Sequence, residues 1–473
     1  MIAVPGFEGR RVAVFGLGRS GLSAARALRA GGAEPVLWDD TARGREEAAR
    51  EGFVLEDLAV ADWRGFAALV LSPGVPLSHP APHWTVGKAR AAGLPVIGDI
   101  ELFARAMAAC PADRRPKVIA VTGTNGKSTT TALLGWVLKQ PGATVHVGGN
   151  IGVGVLSLPG PEADRAPSPP VYVVETSSYQ LDLTESFRPD VAILTNITPD
   201  HLDRHGGMAG YVVAKNRLFS AQGEGDTAVI GVDDDWGVRI ADRLDGKVET
   251  LVRVSAAHPT SGVYALDGKL WDCVGGTPVE VCDLTRARSL PGRHNAQNAA
   301  CAYAAARAVG LSREAAAAGL MSFPGLAHRM EEVGRLGQVR FVNDSKATNA
   351  DAARQALASY PRSWWIAGGR AKDEGIAPLA DLFDRVAHAY LIGEAADDFA
   401  RVLDGHAPWT VSEVMEAAVA DAAADAAAAG EPAVVLLSPA CASFDQFPDF
   451  EVRGEAFRAA VLALGAIPPE DGA

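Results

Sequence analysis

The sequence predicts an α/β fold built from successive units, each with a parallel sheet. Three observations carry this expectation. Short apolar strands alternate with helices along most of the 473 residues, as in strands joined by crossover helices. The rhythm starts three times, with no true repeat of sequence. Nearly every strand also runs into a glycine-rich or polar loop, the place where open α/β sheets hold ligands. The length itself allows two to four domains.

The first unit opens with the strand "RVAVFGLG", the helix "GLSAARALRAGG" and a second strand, "EPVLWDD", that ends in acids. "AALVLSPG" and "LPVIGD" are further strands. The polar, proline-bearing stretch from Cys110 to Lys117 lies near the next boundary. A second unit begins at "KVIAVTGTNGKSTTTALL" (117–134), which reads as strand, glycine loop and helix. "VYVVE" (171–175) and "DVAILTN" (190–196) continue its sheet, and "PGPEADRAPSPP" (159–170) between them is too rich in proline to pack. A helix over 291–310 begins with polar residues and ends at Gly310, and Pro324 marks another break. In the last unit "VRFVNDSKATN", "SWWIAGG", "HAYLIGE" and "AVVLLSPACASF" are strands. The Ala-rich segment 415–430 reads as an ordinary helix closed by glycine.

Apolar residues make up 48% and charged residues 21% of the chain, ordinary for a globular protein. The net charge of −13 argues against a broad nucleic-acid surface. It still allows local anion sites on backbone N–H groups. The five cysteines, Cys110, Cys273, Cys282, Cys301 and Cys441, are scattered and odd in number. That suits a reducing, cytoplasmic setting better than a disulfide scaffold or a zinc site. Gly9, Arg10 and Arg11 interrupt any signal-peptide core, and no apolar run approaches about 18 residues. Neither a leader nor a membrane span is expected.

Gly16-Leu17-Gly18-Arg19-Ser20-Gly21 is a G-x-G-x-x-G between a strand and a helix, and Asp39 follows Gly21 by 18 residues. Such glycines let a diphosphate approach the helix N-terminus. NAD or FAD, another diphosphate and a bare tight turn all fit this fingerprint. The loop from Gly123 to Thr129 has the parts of a triphosphate cradle. A glycine turn offers N–H groups, Lys127 offsets charge, and Ser128 or Thr129 supplies a hydroxyl to Mg²⁺. Only Thr124 and Asn125 separate Gly123 from Gly126, however, and the common phosphate loop is longer there.

Glu175 at a strand end suits a Mg²⁺ ligand, although a strand-end glutamate is often just solvated. "TNITPDHLDRHG" gathers Asn196, Asp200, His201, Asp203 and His205, which points to a metal or phosphate site. Lys215 falls in a helical pattern, where an exposed lysine is the plain alternative. Asn295 and Asn298 share a helix face and fit either a nucleotide contact or capping. His328, Arg329, "NDSKATN" (343–349), Lys372 in "GGRAKDE" and "SPACASFDQF" (438–447) recur at strand ends. Their lysines, hydroxyls and N–H groups suit a substrate bearing carboxylates.

Taken in order, "TGTNGKST", "ETSSYQL", "TNITPDHLDRHG", "GRHNAQN", "HRME", "NDSKATN" and "SPACASFDQF" resemble the motifs of the Mur ligases. These are ATP-dependent amino-acid ligases of peptidoglycan precursor synthesis. The resemblance spans almost the whole chain, and the short phosphate loop is that family's own form. Within the family, "GLGRSGLS", "VNDSKATN" and "LLSPACASFDQF" are similar to the branch that adds D-glutamate. The "DNPR" motif expected of the diaminopimelate- or lysine-adding branch is absent.

The resemblance implies three domains: a Rossmann-like UDP-substrate domain (1–98), a central P-loop ATPase domain with a mostly parallel sheet (99–325), and a C-terminal Rossmann-like amino-acid domain (326–473). It implies that ATP phosphorylates the alanine carboxylate of UDP-N-acetylmuramoyl-L-alanine and that the amine of D-glutamate attacks the acyl phosphate. Arg19, Ser20, Asp39, Asp40 and Gly74 would then lie near the UDP. Asn150, Ser177, Ser178 and Gln180 would approach the muramoyl-alanine end. The loop from Gly123 through Lys127 to Thr129 would hold ATP, with Asn295 near its base and Arg329 and Asp344 contacting it from the third domain. Ser128 and Glu175 would hold one Mg²⁺, and His201 with a carbamylated Lys215 a second. Lys346, Thr348, Lys372, Ser438 and Phe444 would surround D-glutamate. A cytoplasmic monomer is expected, closing about joints near residues 98 and 325. Small-angle scattering unchanged by an ATP analogue plus substrate would count against that closure. Two rival readings are an NAD-dependent oxidoreductase, tested by mixing with NADH, and a nucleotide-sugar binder without turnover. The charged clusters after 171–175 and 190–196 disfavour the latter.

Overall fold

The computed structural model describes residues 1–139, 143–161, 168–287, 289–371 and 375–469. The chain forms two compact units. One comprises Met1–Cys282 and Gln297–Leu320, the other Asp283–Ala296 and Met321–Ala473.

The first unit holds two sheets. One contains β1 (Arg11–Phe15), β2 (Glu34–Trp38), β3 (Val54–Leu55), β4 (Phe66–Leu71) and β5 (Val96–Ile97), in the order β3-β2-β1-β4-β5 and parallel throughout. Val12 to Phe15 are buried in succession, as expected for a parallel strand covered on both faces. The chain winds one way from β1 to β3 and the other way to β5. That reversal leaves a crevice at the carboxyl end of β1, where Gly16 to Gly21 lie.

The other sheet of this unit contains β6 (Lys117–Thr122), β7 (Val145–Gly149), β8 (Val171–Glu175), β9 (Val191–Leu194), β10 (Thr227–Gly231), β11 (Thr250–Ser255), β12 (Val263–Leu266), β13 (Lys269–Asp272) and β14 (Val279–Asp283). Their order is β14-β13-β12-β11-β10-β9-β6-β8-β7. The sheet is parallel from β7 to β12 and turns antiparallel at β12–β13. Here too β6 sits at a reversal, with β8 on one side and β9 on the other. The helix Lys127–Lys139 packs behind the loop after β6 through Leu133, Leu134, Val137 and Leu138. Burial of each such side chain stabilises by about 1.5–3 kcal/mol, which anchors the loop from its helical side.

The helix Asp99–Ala108 links the two sheets. It buries Ile100, Leu102, Phe103, Ala106 and Met107 on its apolar face. Its first turn carries two buried carboxylates, Asp99 and Glu101, favoured there by the helix dipole. Glu101 is fully satisfied. It accepts the N–H groups of Glu185 and Ser186 at 2.8 Å, the Ser186 hydroxyl at 2.8 Å and Arg105 Nε at 2.9 Å. Burial pushes its pKa up, but these donors outweigh that and the net shift is downward.

The second unit carries β15 (Glu331–Leu336), β16 (Val339–Asn343), β17 (Ser363–Gly368), β18 (Val386–Ile392), β19 (Trp409–Glu413) and β20 (Ala433–Leu437), in the order β15-β16-β20-β17-β18-β19. Only the β15–β16 pair is antiparallel. β17 is buried along its whole length, with Trp365 at its centre. The Ala-rich helix runs Met415–Ala428 and buries Ala418, Val419, Ala422 and Ala426 against this sheet.

The mostly parallel α/β fold agrees with the sequence expectation. The strands between Thr250 and Asp283 go beyond it. Their hairpin turns at Asp267 and Gly268, both left-handed with φ of 51° and 76°, the geometry of a type I′ turn. Among the described residues no helix is long and apolar enough to cross a membrane.

Candidate active site

The residues after β6, β8 and β9 meet at one edge of the nine-stranded sheet because those strands are neighbours in register. Val121 faces Glu175, and Thr122 faces Leu194. β9 stops at Leu194, which releases Thr195 and Asn196 to hold the phosphate loop. Thr195 Oγ1 donates to the Asn125 carbonyl at 2.6 Å, and Asn196 Nδ2 donates to the same oxygen at 3.1 Å. In return Asn196 Oδ1 accepts Asn125 N–H at 2.9 Å. Thr124 is tied in as well, donating its N–H to the Asn196 carbonyl at 2.9 Å and its hydroxyl to the Thr198 carbonyl at 3.0 Å.

This clamping explains the two glycines and their short spacing. A Cβ at Gly123 would lie 1.9 Å from Thr195 Oγ1, and one at Gly126 would lie 2.2 Å from Asn298 Oδ1. Both residues also adopt positive φ, 149° and 81°. Ser128 is buried and Thr129 half-buried at the start of the following helix.

Two lysines converge on the loop. Lys127 Nζ donates to the carbonyls of Gly123 at 3.0 Å and Thr124 at 2.7 Å. Lys215 Nζ donates to the same Gly123 oxygen at 2.6 Å. Lys215 is buried, on a helix Met208–Asn216 whose inner face also carries Tyr211 and Ala214. Burial holds its pKa well below the ordinary lysine range, and the Lys127 charge adds to the effect against the pull of Asp200 and Glu175. Burial thus favours the neutral amine of Lys215 over its ammonium form.

Glu175 is buried at the end of β8. Its Oε1 accepts Asn150 Nδ2 at 2.8 Å, while Oε2 is buried without a hydrogen-bond partner among the described residues. Asn150 is fixed in turn by donating its N–H to the Glu175 carbonyl at 2.9 Å. The two histidines of the cluster after β9 differ sharply. His205 Nε2 lies 2.9 Å from Ser178 Oγ and Nδ1 lies 3.0 Å from Asp182, with its side chain 2% exposed. His201 adopts a left-handed backbone at φ 52°, lies 3.3 Å from Asp200 and is 42% exposed. Of the two, His201 is the more exposed. Asp203 stands in the same short helix, Leu202–His205.

At the first sheet, a cleft of about 460 Å³ is lined by Leu17, Gly18, Arg19, Asp39, Thr41 and Arg43 among others. Asp39 accepts Leu17 N–H at 2.6 Å and the Thr41 N–H and hydroxyl at 2.7 Å. It thus holds the glycine loop in shape. Asp40 is turned to His83, 3.2 Å away. Arg19 reaches the Gly152 carbonyl at 3.1 Å, and the Gly74 carbonyl accepts Arg204 at 3.1 Å. Ser177 and Gln180 form a capping box, and Ser178 is buried beside them.

In the second unit Asp344 is buried at the end of β16, accepting the Ser438 hydroxyl at 2.8 Å and Met330 N–H at 3.2 Å. Burial pushes its carboxyl up to about 7 against these donors. Lys346 Nζ sits 3.7 Å from the centre of the Phe450 ring, and Thr348 donates its N–H to the Lys346 carbonyl at 2.8 Å. Ser438 is fully buried and Phe444 is 64% exposed. Asn295 is buried and donates to the Pro291 carbonyl at 2.9 Å, and Arg329 is half-buried. Lys372 lies outside the described residues.

Two polar groups here escape the sequence motifs. Arg453 is buried and donates to Ser345 Oγ at 3.0 Å and the Ser345 carbonyl at 2.7 Å, yet its Nη1 has no partner among the described residues. The other is Asp99. Neither has a distinct sequence signal, since their helices carry other charges, Glu101 and Arg105 in one and Glu451, Glu455 and Arg458 in the other.

The chain resembles known proteins along nearly its full length. Residues 121–306 match the Mur ligase middle domain, and residues 328–441 match the Mur ligase glutamate ligase domain. A UDP-N-acetylmuramoylalanine–D-glutamate ligase of Caulobacter vibrioides is 63% identical over 468 residues, covering 98% of each chain. The enzyme of that name from Nitrobacter hamburgensis is 53% identical over 471 residues, covering 99% of this chain and 100% of its own. Among solved structures, a UDP-N-acetylmuramate–alanine ligase of Thermotoga maritima superposes with a TM-score of 0.56 at 17% identity, covering 96% of this chain and 99% of that one. At that identity the likeness is one of fold.

Proposed function

The chain belongs to the Mur ligase family, and on that premise we propose that it is the ATP-dependent ligase that joins D-glutamate to UDP-N-acetylmuramoyl-L-alanine in peptidoglycan precursor synthesis. The full-length likeness to ligases of that name carries this reading. ADP, phosphate and the new amide are its products. Residues 1–98 are assigned to the UDP substrate, 99–325 to ATP and 326–473 to D-glutamate. The chain is taken to act as a cytoplasmic monomer.

The reaction divides into two displacements. An oxygen of the alanine carboxylate attacks the γ-phosphorus of ATP, and ADP leaves. The D-glutamate amine then attacks the acyl carbon, and phosphate leaves with the transferred oxygen. Both steps depend on positioning and on neutralising phosphoryl charge. The phosphate loop would present its N–H groups to the triphosphate, with Lys127 turning from its own loop carbonyls to the transferring phosphate. Asn150 would orient the substrate end beside Glu175. Asp344, Arg329 and Asn295 are assigned to the nucleotide, and Lys346, Thr348, Lys372, Ser438 and Phe444 to D-glutamate.

The donors present fit Mg²⁺. Glu175 offers a buried carboxylate oxygen that lacks a partner among the described residues, and Ser128 offers a hydroxyl at the helix start. Among the described residues no three His, Cys, Asp or Glu side chains gather as a metal site. Mg²⁺ asks for one or two carboxylates and takes its other ligands from water and phosphate. Ser128 and Glu175 would hold one ion, and His201 with Lys215 a second. When bound, Mg²⁺ offsets the charge that develops on the phosphoryl oxygens. An amine serves such a hard ion poorly. The Lys215 amine, once unprotonated, can add to CO₂, forming an N–C bond and releasing one proton, and the resulting carbamate offers oxygen.

Phosphate release with ATP, Mg²⁺ and UDP-N-acetylmuramoyl-L-alanine tests the assignment when each candidate amino acid is added in turn. Release is expected with D-glutamate. Release with a different amino acid, and none with D-glutamate, would move the chain to another branch of the family.

A further inference from the structure

Asp99 is a buried carboxylate at the point where the chain passes from the first sheet to the second. Every partner it has is a donor. Gln180 Nε2 approaches its two oxygens at 3.0 and 3.3 Å, and Ile100 N–H donates to Oδ1 at 2.9 Å. These donors favour the anion, while burial outweighs them and raises the carboxyl's pKa.

The two partners belong to different sheets: Asp99 lies two residues beyond β5 of the first, and Gln180 lies beyond β8 of the second. Gln180 is committed at its other end too. Its Oε1 accepts both the N–H of Ser177 at 3.0 Å and the Ser177 hydroxyl at 3.1 Å. With Gln180 only 2% exposed, both ends of its amide are occupied within the fold. An unbroken chain therefore runs Asp99, Gln180, Ser177, and Ser177 stands two residues beyond Glu175.

We propose that Asp99 is a positioning residue for the UDP substrate. It sets the end of β5, and with it the first sheet that carries the diphosphate-binding glycine loop, at a fixed distance from the serine pair and Glu175 of the second. A ligand that spans both sides depends on this distance, whereas one held by the glycine loop alone does not. The inference rests on the reading above of which ligand spans the two sides.

Asp99→Asn tests it, because the isosteric amide turns an N–H₂ toward the N–H₂ of Gln180. Calorimetric binding is measured for UDP-N-acetylmuramoyl-L-alanine and for UDP alone. For Asp99→Asn the full substrate is expected to bind about tenfold more weakly, as for the loss of one charge-assisted hydrogen bond, with UDP changed by less than about twofold. The KM for the full substrate should rise alike, with that for ATP unmoved. The exchanged pair Asp99→Asn with Gln180→Glu restores a donor facing an acceptor while leaving acceptors for Ser177 and Ile100, and it should regain most of the lost affinity. Equal weakening of UDP and full substrate, or no recovery in the exchanged pair, overturns the proposal. A wild-type protein that does not bind the full substrate would instead overturn the functional reading itself.

Discussion

Two lysines share the Gly123 carbonyl, and their competition defines the chemistry of the phosphate loop. Lys127 keeps access to solvent, while Lys215 is enclosed and burial lowers its pKa. Its folded pKa lies below its unfolded value. Between those two values the unfolded chain holds a proton that the fold expels, and Lys215 costs stability there. The cost shrinks as pH rises toward the ordinary lysine range. Lys215→Met should accordingly raise the urea midpoint by the equivalent of about 1–4 kcal/mol at pH 7, with a smaller gain at higher pH, and abolish ligation. Lys215→Arg keeps a cation that cannot be carbamylated and is expected to lose most activity. Near-wild-type turnover by that variant would remove Lys215 from the site. The identity of Lys127 is legible from "TGTNGKST" alone. The burial of Lys215 is legible only by helical spacing, since it falls four residues after Tyr211 and three before Leu218, both buried.

At the scale of elements, the helix Asp99–Ala108 holds the first unit together through its acidic first turn. Glu101 binds the loop at Glu185 and Ser186 with a carboxylate whose folded pKa is lowered. Its contribution is present above the unfolded carboxylate pKa and lost as pH falls through the folded one. Glu101→Gln should cost about 2–4 kcal/mol at pH 7, as for the loss of charged hydrogen bonds. The gap between wild type and variant should close in acid, measured by urea unfolding at pH 7 and at pH values below the carboxylate range. A constant gap across pH would show that the charge is immaterial. The strands flanking the phosphate loop are legible because "VYVVE" and "DVAILTN" are apolar runs that end in polar residues. The hairpin at Asp267-Gly268 carries an equally clear D-G signal, but its strands are only four residues each and alternate weakly.

Across the whole molecule, what the sequence conveys is the order of parallel units and the loops that bear chemistry. What it does not convey is pairing at long range. Thr195 holds Asn125 from 70 positions away, and Asp99 holds Gln180 from 81. Neither contact leaves any local pattern, because each is set by which strands become neighbours. The same neighbour relations place Glu175 and the Asp200–His201 pair on either side of the phosphate loop, and so carry the claim that this loop activates a carboxylate. That claim has a direct test. UDP-N-acetylmuramoyl-L-alanine labelled with ¹⁸O in its terminal carboxylate is turned over with ATP and D-glutamate, and the released phosphate is analysed by mass spectrometry. Passage through an acyl phosphate predicts one ¹⁸O in each phosphate released, and phosphate free of label would contradict it.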